Sequence, residues 1–173
     1  MIENELKLHV ETARSKHLKA MVEINKAAAP KWHKLRHLNS AIREKRVLIA
    51  FVGRIPAGFL VWTKDFYSHY FIDLVVVHPK MRRHGVAVGM IRAMENFCTG
   101  NKLFSSTNRS NKAMQKVFTR TGFIKSGFIS NLDKGNPEWI YYKKVAAKAE
   151  VVHRKKTKTR PRKTKRKTGK RKK

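Results

Sequence analysis

Cysteine is almost missing from this chain: Cys98 stands alone among 173 residues. That excludes an internal disulfide and a cysteine-rich metal finger, and it fits a reducing compartment. Cys98 lies in an apolar, helical stretch and reads as a buried small hydrophobe rather than a nucleophile. Long hydrophobic runs are missing too. No stretch reaches the roughly 18 apolar residues needed to span a bilayer. The opening MIENELKLHV alternates apolar and polar residues and starts among acids, unlike a signal peptide. An intracellular protein is expected, cytoplasmic or nucleoid-associated, or nuclear in a eukaryotic host. Acids are scarce: 11 Asp and Glu face 41 Lys and Arg, a net charge of +30.

The cations are unevenly spread. Residues 146–173 hold 15 Lys and Arg with one Glu, leaving 26 and 10 for residues 1–145, a net of +16 there. Hydrophobic residues make up 41% of the chain, enough to give the body a core. The expected division is one domain over 1–145 and a disordered Lys/Arg-rich tail over 146–173, whose low-complexity Lys, Arg and Thr cannot bury enough to fold. Such a balance points to anionic partners: nucleic acid, a ribosome or acidic protein surface.

Within the body, periodicity orders the elements. Leu6, Leu8 and Val10 alternate with polar residues, as in a half-buried strand. Ser15 is placed to cap a helix carrying Leu18, Met21, Val22 and Asn25. Pro30 suits the first position of a second helix, with Leu35, Leu38 and Ile42 on its buried stripe. VLIAFV (47–52) and IPAGFLVW (55–62) read as a hairpin around Gly53-Arg54. HYFIDLVVV (69–77) is a further strand, halted at Pro79. Apolar residues from Val86 to Cys98 then fit one helix face, and KLFSST (102–107) returns to strand. Ser110 or Asn111 caps a helix ending at Gly122. FIKSGFIS (123–130) and EWIYYKKV (138–145) form a last pair around DKGNP. The order is β-α-α-β-β-β-α-β-α-β-β, an α/β (α+β) arrangement with four helices.

The segment from Val75 to Val88 carries the chemistry. A buried strand, Val75-Val76-Val77, runs into the basic loop His78-Pro79-Lys80-Met81-Arg82-Arg83-His84 and opens at Gly85 into an amphipathic helix. Unpaired backbone N–H groups and the positive helix end then meet at one point, which makes an anion site. Gly85 lets the backbone approach an oxyanion, Ala87 keeps the first turn uncluttered, and Arg82, Arg83 and His84 add donors. A diphosphate suits this site best.

Arg82-x-x-Gly85-x-Ala87 resembles the R/Q-x-x-G-x-G/A motif of the GNAT acetyltransferases. Asn111 with Phe118, Gly122 and Phe123 is similar to that family's second signature, N-x₆-(Y/F)-x₃-G-F. The resemblance covers residues 4–145. It implies a GNAT fold, a mixed and mostly antiparallel sheet with a V-shaped splay between the fourth and fifth strands. It implies acetyl-CoA as donor substrate, with pantetheine along the backbone of Val75, Val76 and Val77. The pyrophosphate would lie on the amides from Arg83 through His84, Gly85, Val86 and Ala87 to Val88. Asn111 would flank the pantetheine, Phe118 the sulfur, and a backbone N–H of the valine strand would polarise the thioester oxygen.

Two positions depart from the family pattern. Phe118 stands where many members carry a tyrosine that protonates the leaving thiolate. Ser106 stands where some members, ribosomal-protein N-terminal acetyltransferases among them, carry a glutamate. Asp73 is the best candidate base, on the same strand face as Val75 and Val77 unless a bulge intervenes; the alternative is an aspartate bonded to neighbouring backbone or to an arginine. Tyr141 and Tyr142 alternate faces, so one can reach the acceptor side; both also suit sheet packing. Trp62 reads as core or slot wall. His78 and Lys80 are placed to reach the 3′-phosphate, and equally suit plain exposure. His33 and His37 have i, i+4 spacing, but no third ligand is near and Lys34 and Arg36 surround them, so no metal is expected.

The resemblance implies direct transfer to an amine, and a protein amine is the expected acceptor. Acetylation of the aminoacyl group of charged tRNA is an alternative reading. A non-catalytic protein that binds CoA or nucleic acid is another. The tail lacks aromatic residues and can contact only a polyanion's backbone, by counterion release. It would tether the domain to nucleic acid or a ribosome, unless it serves as a nuclear address or is itself acetylated.

Overall fold

Three consecutive apolar runs set the centre of the sheet. A computed structural model describes residues 7–28, 37–98 and 100–147. The tail from Lys148 onward, Pro30, Trp32, His33 and Leu35 lie outside them. Strand β2 (Val47–Val52) turns at Gly53-Arg54 into β3 (Ile55–Phe66), which turns again into β4 (His69–Val77). Gly53 has φ +59°, the left-handed region that a two-residue hairpin turn needs at that position. β1 (Leu8–Thr12) pairs outside β2, and β5 (Lys102–Asn108), β7 (Glu138–Lys144) and β6 (Ile124–Ile129) complete the order β1-β2-β3-β4-β5-β7-β6. All pairs are antiparallel except β4 with β5.

Helices cover both faces of the N-terminal half. α1 (Leu18–Ala28) and α2 (Leu38–Arg43) place Met21, Ile24, Leu38, Ala41 and Ile42 against Val47, Ile49, Phe59 and Val76. On the other face α3 (Val86–Glu95) packs Val86, Met90, Ile91 and Met94 on Leu48, Leu60 and Ile72. That second cluster continues to Phe118 of α4 (Lys112–Arg120), Phe123 and Tyr141. Each fully buried Leu, Ile or Phe contributes about 1.5–3 kcal/mol, so these two clusters hold the sheet in place.

The entry to α1 differs from expectation. Ser15 does not cap it; Ser15–His17 form a 3₁₀ turn, and the His17 Nδ1 accepts the Arg14 N–H at 3.2 Å. The choice at α4 falls to Asn111, whose side-chain oxygen accepts the Met114 N–H at 3.1 Å. α4 stops at Gly122, with φ +83°, and the Phe123 N–H closes back on the Phe118 carbonyl at 2.9 Å.

Candidate active site

The parallel pairing of β4 with β5 is short. Tyr70, Phe71 and Ile72 pair with Leu103, Phe104 and Ser105, and there it ends. The buried Ser105 hydroxyl donates to the Ile72 carbonyl at 2.9 Å and latches the vertex. Past it, β4 runs on to Val77 bonded only to β3, while β5 runs to Asn108 bonded only to β7. The two strands therefore splay. The His78 N–H bonds the Ala57 carbonyl at 2.9 Å. By antiparallel alternation Val76 and Leu74 also turn their backbone groups to β3, so those of Val75 and Val77 face the opening.

The open edge leads into the anion turn. Pro79–Met81 form a 3₁₀ turn, capped by the His78 ring accepting the Lys80 N–H at 3.3 Å. Arg83 takes φ +71° and Gly85 φ +74°, so the chain curls left-handed twice before α3 begins. Among the described residues no backbone carbonyl receives the amides of residues 83–88; the first bonded amide is Gly89, to the Gly85 carbonyl at 2.8 Å. Six consecutive bare amides thus converge at the positive end of a helix. A Cβ built on Gly85 meets nothing within 4 Å, so the backbone there is open to a ligand. The Arg82, Arg83 and His84 side chains are exposed, with the His84 ring 2.8 Å from the Arg82 carbonyl. Val86 is buried, while Ala87 and Val88 are half-buried. This set fits a diphosphate: many N–H donors, cationic side chains, and no carboxylate in the turn.

Several other candidates fall elsewhere than expected. Val61 pairs with Leu74 but Trp62 with Ile72, which makes Asp73 the extra residue of a β-bulge. The bulge gives the face shared with Val75 and Val77 to Ile72, and leaves Asp73 exposed rather than enclosed by apolar neighbours. It still stands at the vertex, just past the last β4–β5 pair. The Val76 side chain is buried under α1 and α2. Trp62 takes the core alternative: it is buried on the α3 side, its ring 5.5 Å from Tyr70 and 5.9 Å from Phe97. Phe118 has 0% exposure, its ring 4.7 Å from Tyr141 and 5.2 Å from Phe123. It belongs to the core cluster that runs on under α3 and α4. Tyr141 is buried with it, and burial pushes its hydroxyl pKa up. Tyr142 takes the opposite face and is half-buried.

Asn111, spent in part on capping α4, is exposed at the mouth. Ser106 is half-buried and pairs with Ile140 across β5 and β7. Lys80 is exposed. His37 precedes α2, and no group of three or more metal-ligating side chains occurs among the described residues. Cys98 is buried, and burial raises its thiol to about 11, which makes it inert at neutral pH. Sequence reasoning missed the Ser105 latch and the left-handed Arg83. The first is one hydroxyl in a strand. The second is a conformation that arginine does not announce.

A strand edge left free beside a parallel neighbour, leading into a ring of bare amides, has the donors and shape to take an extended ligand that ends in phosphates. Residues 10–123 match the acetyltransferase (GNAT) family. The chain belongs to the GNAT acetyltransferase family. A GNAT-family acetyltransferase from Bacillus cereus is 34% identical, with a TM-score of 0.73 over 80% of this chain and 97% of its own. Arabidopsis thaliana Naa50, solved with the bisubstrate analogue CoA-Ac-MVNAL, has the same fold at 16% identity, TM-score 0.66, over 79% of this chain and 97% of its own. The Escherichia coli ribosomal-protein-S18-alanine N-acetyltransferase does so at 14% identity, TM-score 0.69, over 85% and 99%. Comparison with curated sequences returned no significant match.

Proposed function

We propose that this protein transfers the acetyl group of acetyl-CoA directly to a protein α-amine, and that its basic tail holds it near nucleic acid or a ribosome. The observation that carries the donor side is the free β4 edge continuing into the bare amides of residues 83–88. Val75 and Val77 would pair with the pantetheine, and the amides from Arg83 to Val88 would hold the pyrophosphate. Arg82, Arg83 and His84 add charge. Asn111 is placed beside the arm at the mouth. Bound acetyl-CoA supplies a thioester carbonyl open to attack by an amine.

This chain's own groups do the rest. The N–H of Val75 or Val77 points into the opening, where it can bond a carbonyl oxygen as it gains charge. The attacking amine must first be neutral. A lysine ammonium, near 10.4, must give up its proton about 2.5 units less readily than an α-ammonium at 7.7–8.0, a difference of about 3.4 kcal/mol. Ser106 offers no base at the position where some members of the family carry glutamate, and Asp73 is exposed. A site so poor in bases suits the weaker acceptor demand of an α-amine. Asp73, at the vertex, would take the proton and pass it to water. Phe118 cannot protonate the departing thiolate, so water does. The folds of Naa50 and the S18-alanine enzyme, both tied by name or bound analogue to protein acceptors, lie in the same direction.

A thiol-release assay with acetyl-CoA tests this against N-terminal peptides, lysine-rich peptides blocked at the N-terminus, charged tRNA and polyamines. N-terminal peptides should turn over fastest, with kcat/KM rising with pH and levelling near pH 8. Preference for blocked lysine peptides, or for charged tRNA alone, would refute the acceptor. Asp73→Asn should lower kcat about tenfold at pH 7 and much less at pH 9. A loss independent of pH would remove Asp73 as the base.

A further inference from the structure

We propose that the sheet face of β5 and β7 opposite α3 is a docking surface for single-stranded nucleic acid. The register builds it. Phe71 pairs with Phe104, Phe104 with Tyr142, and Tyr142 with Ile124, so four side chains form one row across β4, β5, β7 and β6. The alternate residues Leu103, Ser105 and Tyr141 are buried on the other face, which fixes the direction of the row. Phe66 folds over it, 4.8 Å from Phe71 and 5.2 Å from Phe104, and His69 stacks on Phe104 at 5.6 Å. Tyr67, beside Phe66, is 84% exposed.

On this face α1 and α2 pack against residues of β2, β3 and β4. Among the described residues no helix packs on the row at β5 and β7, and Phe71, Phe104 and Tyr142 are half-buried rather than sealed off.

Charge identifies the occupant. Lys102 lies directly opposite Lys144, two residues from Phe104 and Tyr142 and on their face. Like charges facing each other across a ladder destabilise it, and neither lysine has a carboxylate partner among the described residues. Folding gives no reason for this pair; a polyanion does. A second copy of a chain with net charge +30 would be repelled. Aromatic rings on an open sheet beside lysines are what unstacked bases and their phosphates bind. A duplex hides its bases and cannot use the rings. The tail, lacking aromatics, contributes charge without stacking, so this face would supply base contact that the tail cannot.

The test uses the full chain and a 12-nucleotide oligouridine carrying one 2-aminopurine, compared with a duplex of equal charge, by anisotropy and 2-aminopurine fluorescence across a salt series. The single strand should bind at least tenfold tighter, with fluorescence quenched by stacking. Phe104→Leu and Tyr142→Leu should each cost about tenfold on the single strand only. Lys102→Gln should lower its salt slope by about 0.7. Acetyl-CoA binding should not change. If Phe104→Leu lowers the melting temperature, Tyr67→Ala decides: a loss of threefold or more for the single strand supports the surface, and an unchanged affinity overturns it. Equal losses on strand and duplex, absent quenching, or displacement by polyglutamate as effective as by oligouridine also overturn it, the last in favour of an acidic protein segment.

Discussion

At the scale of single residues, Gly85 has the sharpest role. Its φ of +74° is a region L side chains enter at a cost of about 1–2 kcal/mol, yet its missing Cβ leaves open space. Gly85→Ala should therefore lower stability by about that amount and, if the turn holds the diphosphate as proposed, weaken acetyl-CoA binding tenfold or more, because the methyl group would fill the open space beside the amides. Calorimetry alongside thermal melting separates the two effects; unchanged affinity would mean the turn does not contact the donor. Two groups on the β1 side contribute to acid sensitivity. Burial holds the His17 imidazole below its ordinary 6.5, outweighing the pull of Glu11. A hydrogen bond from His9 holds the Glu11 carboxyl below 4.5. Both folded values lie below the unfolded ones, so both contributions are present at neutral pH. That of His17 starts to fade as pH falls below 6.5, and that of Glu11 as it falls below 4.5. Melting temperature should drop in two stages on acidification, and His17→Gln should flatten the upper one. An unaltered upper stage in that variant would assign it elsewhere.

At the scale of elements, the strand and helix order was legible because each segment's apolar period is unambiguous. VLIAFV and HYFIDLVVV could be nothing but strand, and the α4 stripe of Met114, Val117 and Phe118 nothing but helix. The bulge at Asp73 was not legible. It depends on how many residues β3 offers opposite β4, and no single strand records that number. Its effect is large, since it swaps the faces of Ile72 and Asp73 relative to Val75. Trp62 stayed open between core and slot wall for a related reason: an aromatic ring reads equally as either until the facing element is known. Gly58 joins three elements. A Cβ on it would come within 2.7 Å of the Val76 carbonyl and 3.1 Å of the Val86 side chain. The backbone oxygen cannot yield cheaply, so Gly58→Ala should destabilise by about 1–3 kcal/mol. Since Val86 opens α3, acetyl-CoA binding should weaken as well. A neutral melting temperature would show that β4 can shift to make room.

At the scale of the whole molecule, charge dominates. The body's net +16 and the tail's 15 cations should act on polyanions additively and with steep salt dependence. Comparing the full chain with residues 1–145 on duplex DNA should give a much steeper logarithmic salt slope for the full chain. Equal affinity and slope would refute the tail as a tether. Composition and order along the chain were enough to set the sheet's content, the helix positions and the basic turn, because these depend on neighbours within a few residues. The register of β3 on β4, the early end of the β4–β5 pairing and the row of rings from Phe71 to Tyr142 depend on strands far apart in sequence. Only folding brings them together, and only their packing decides which side chains stay open to a partner.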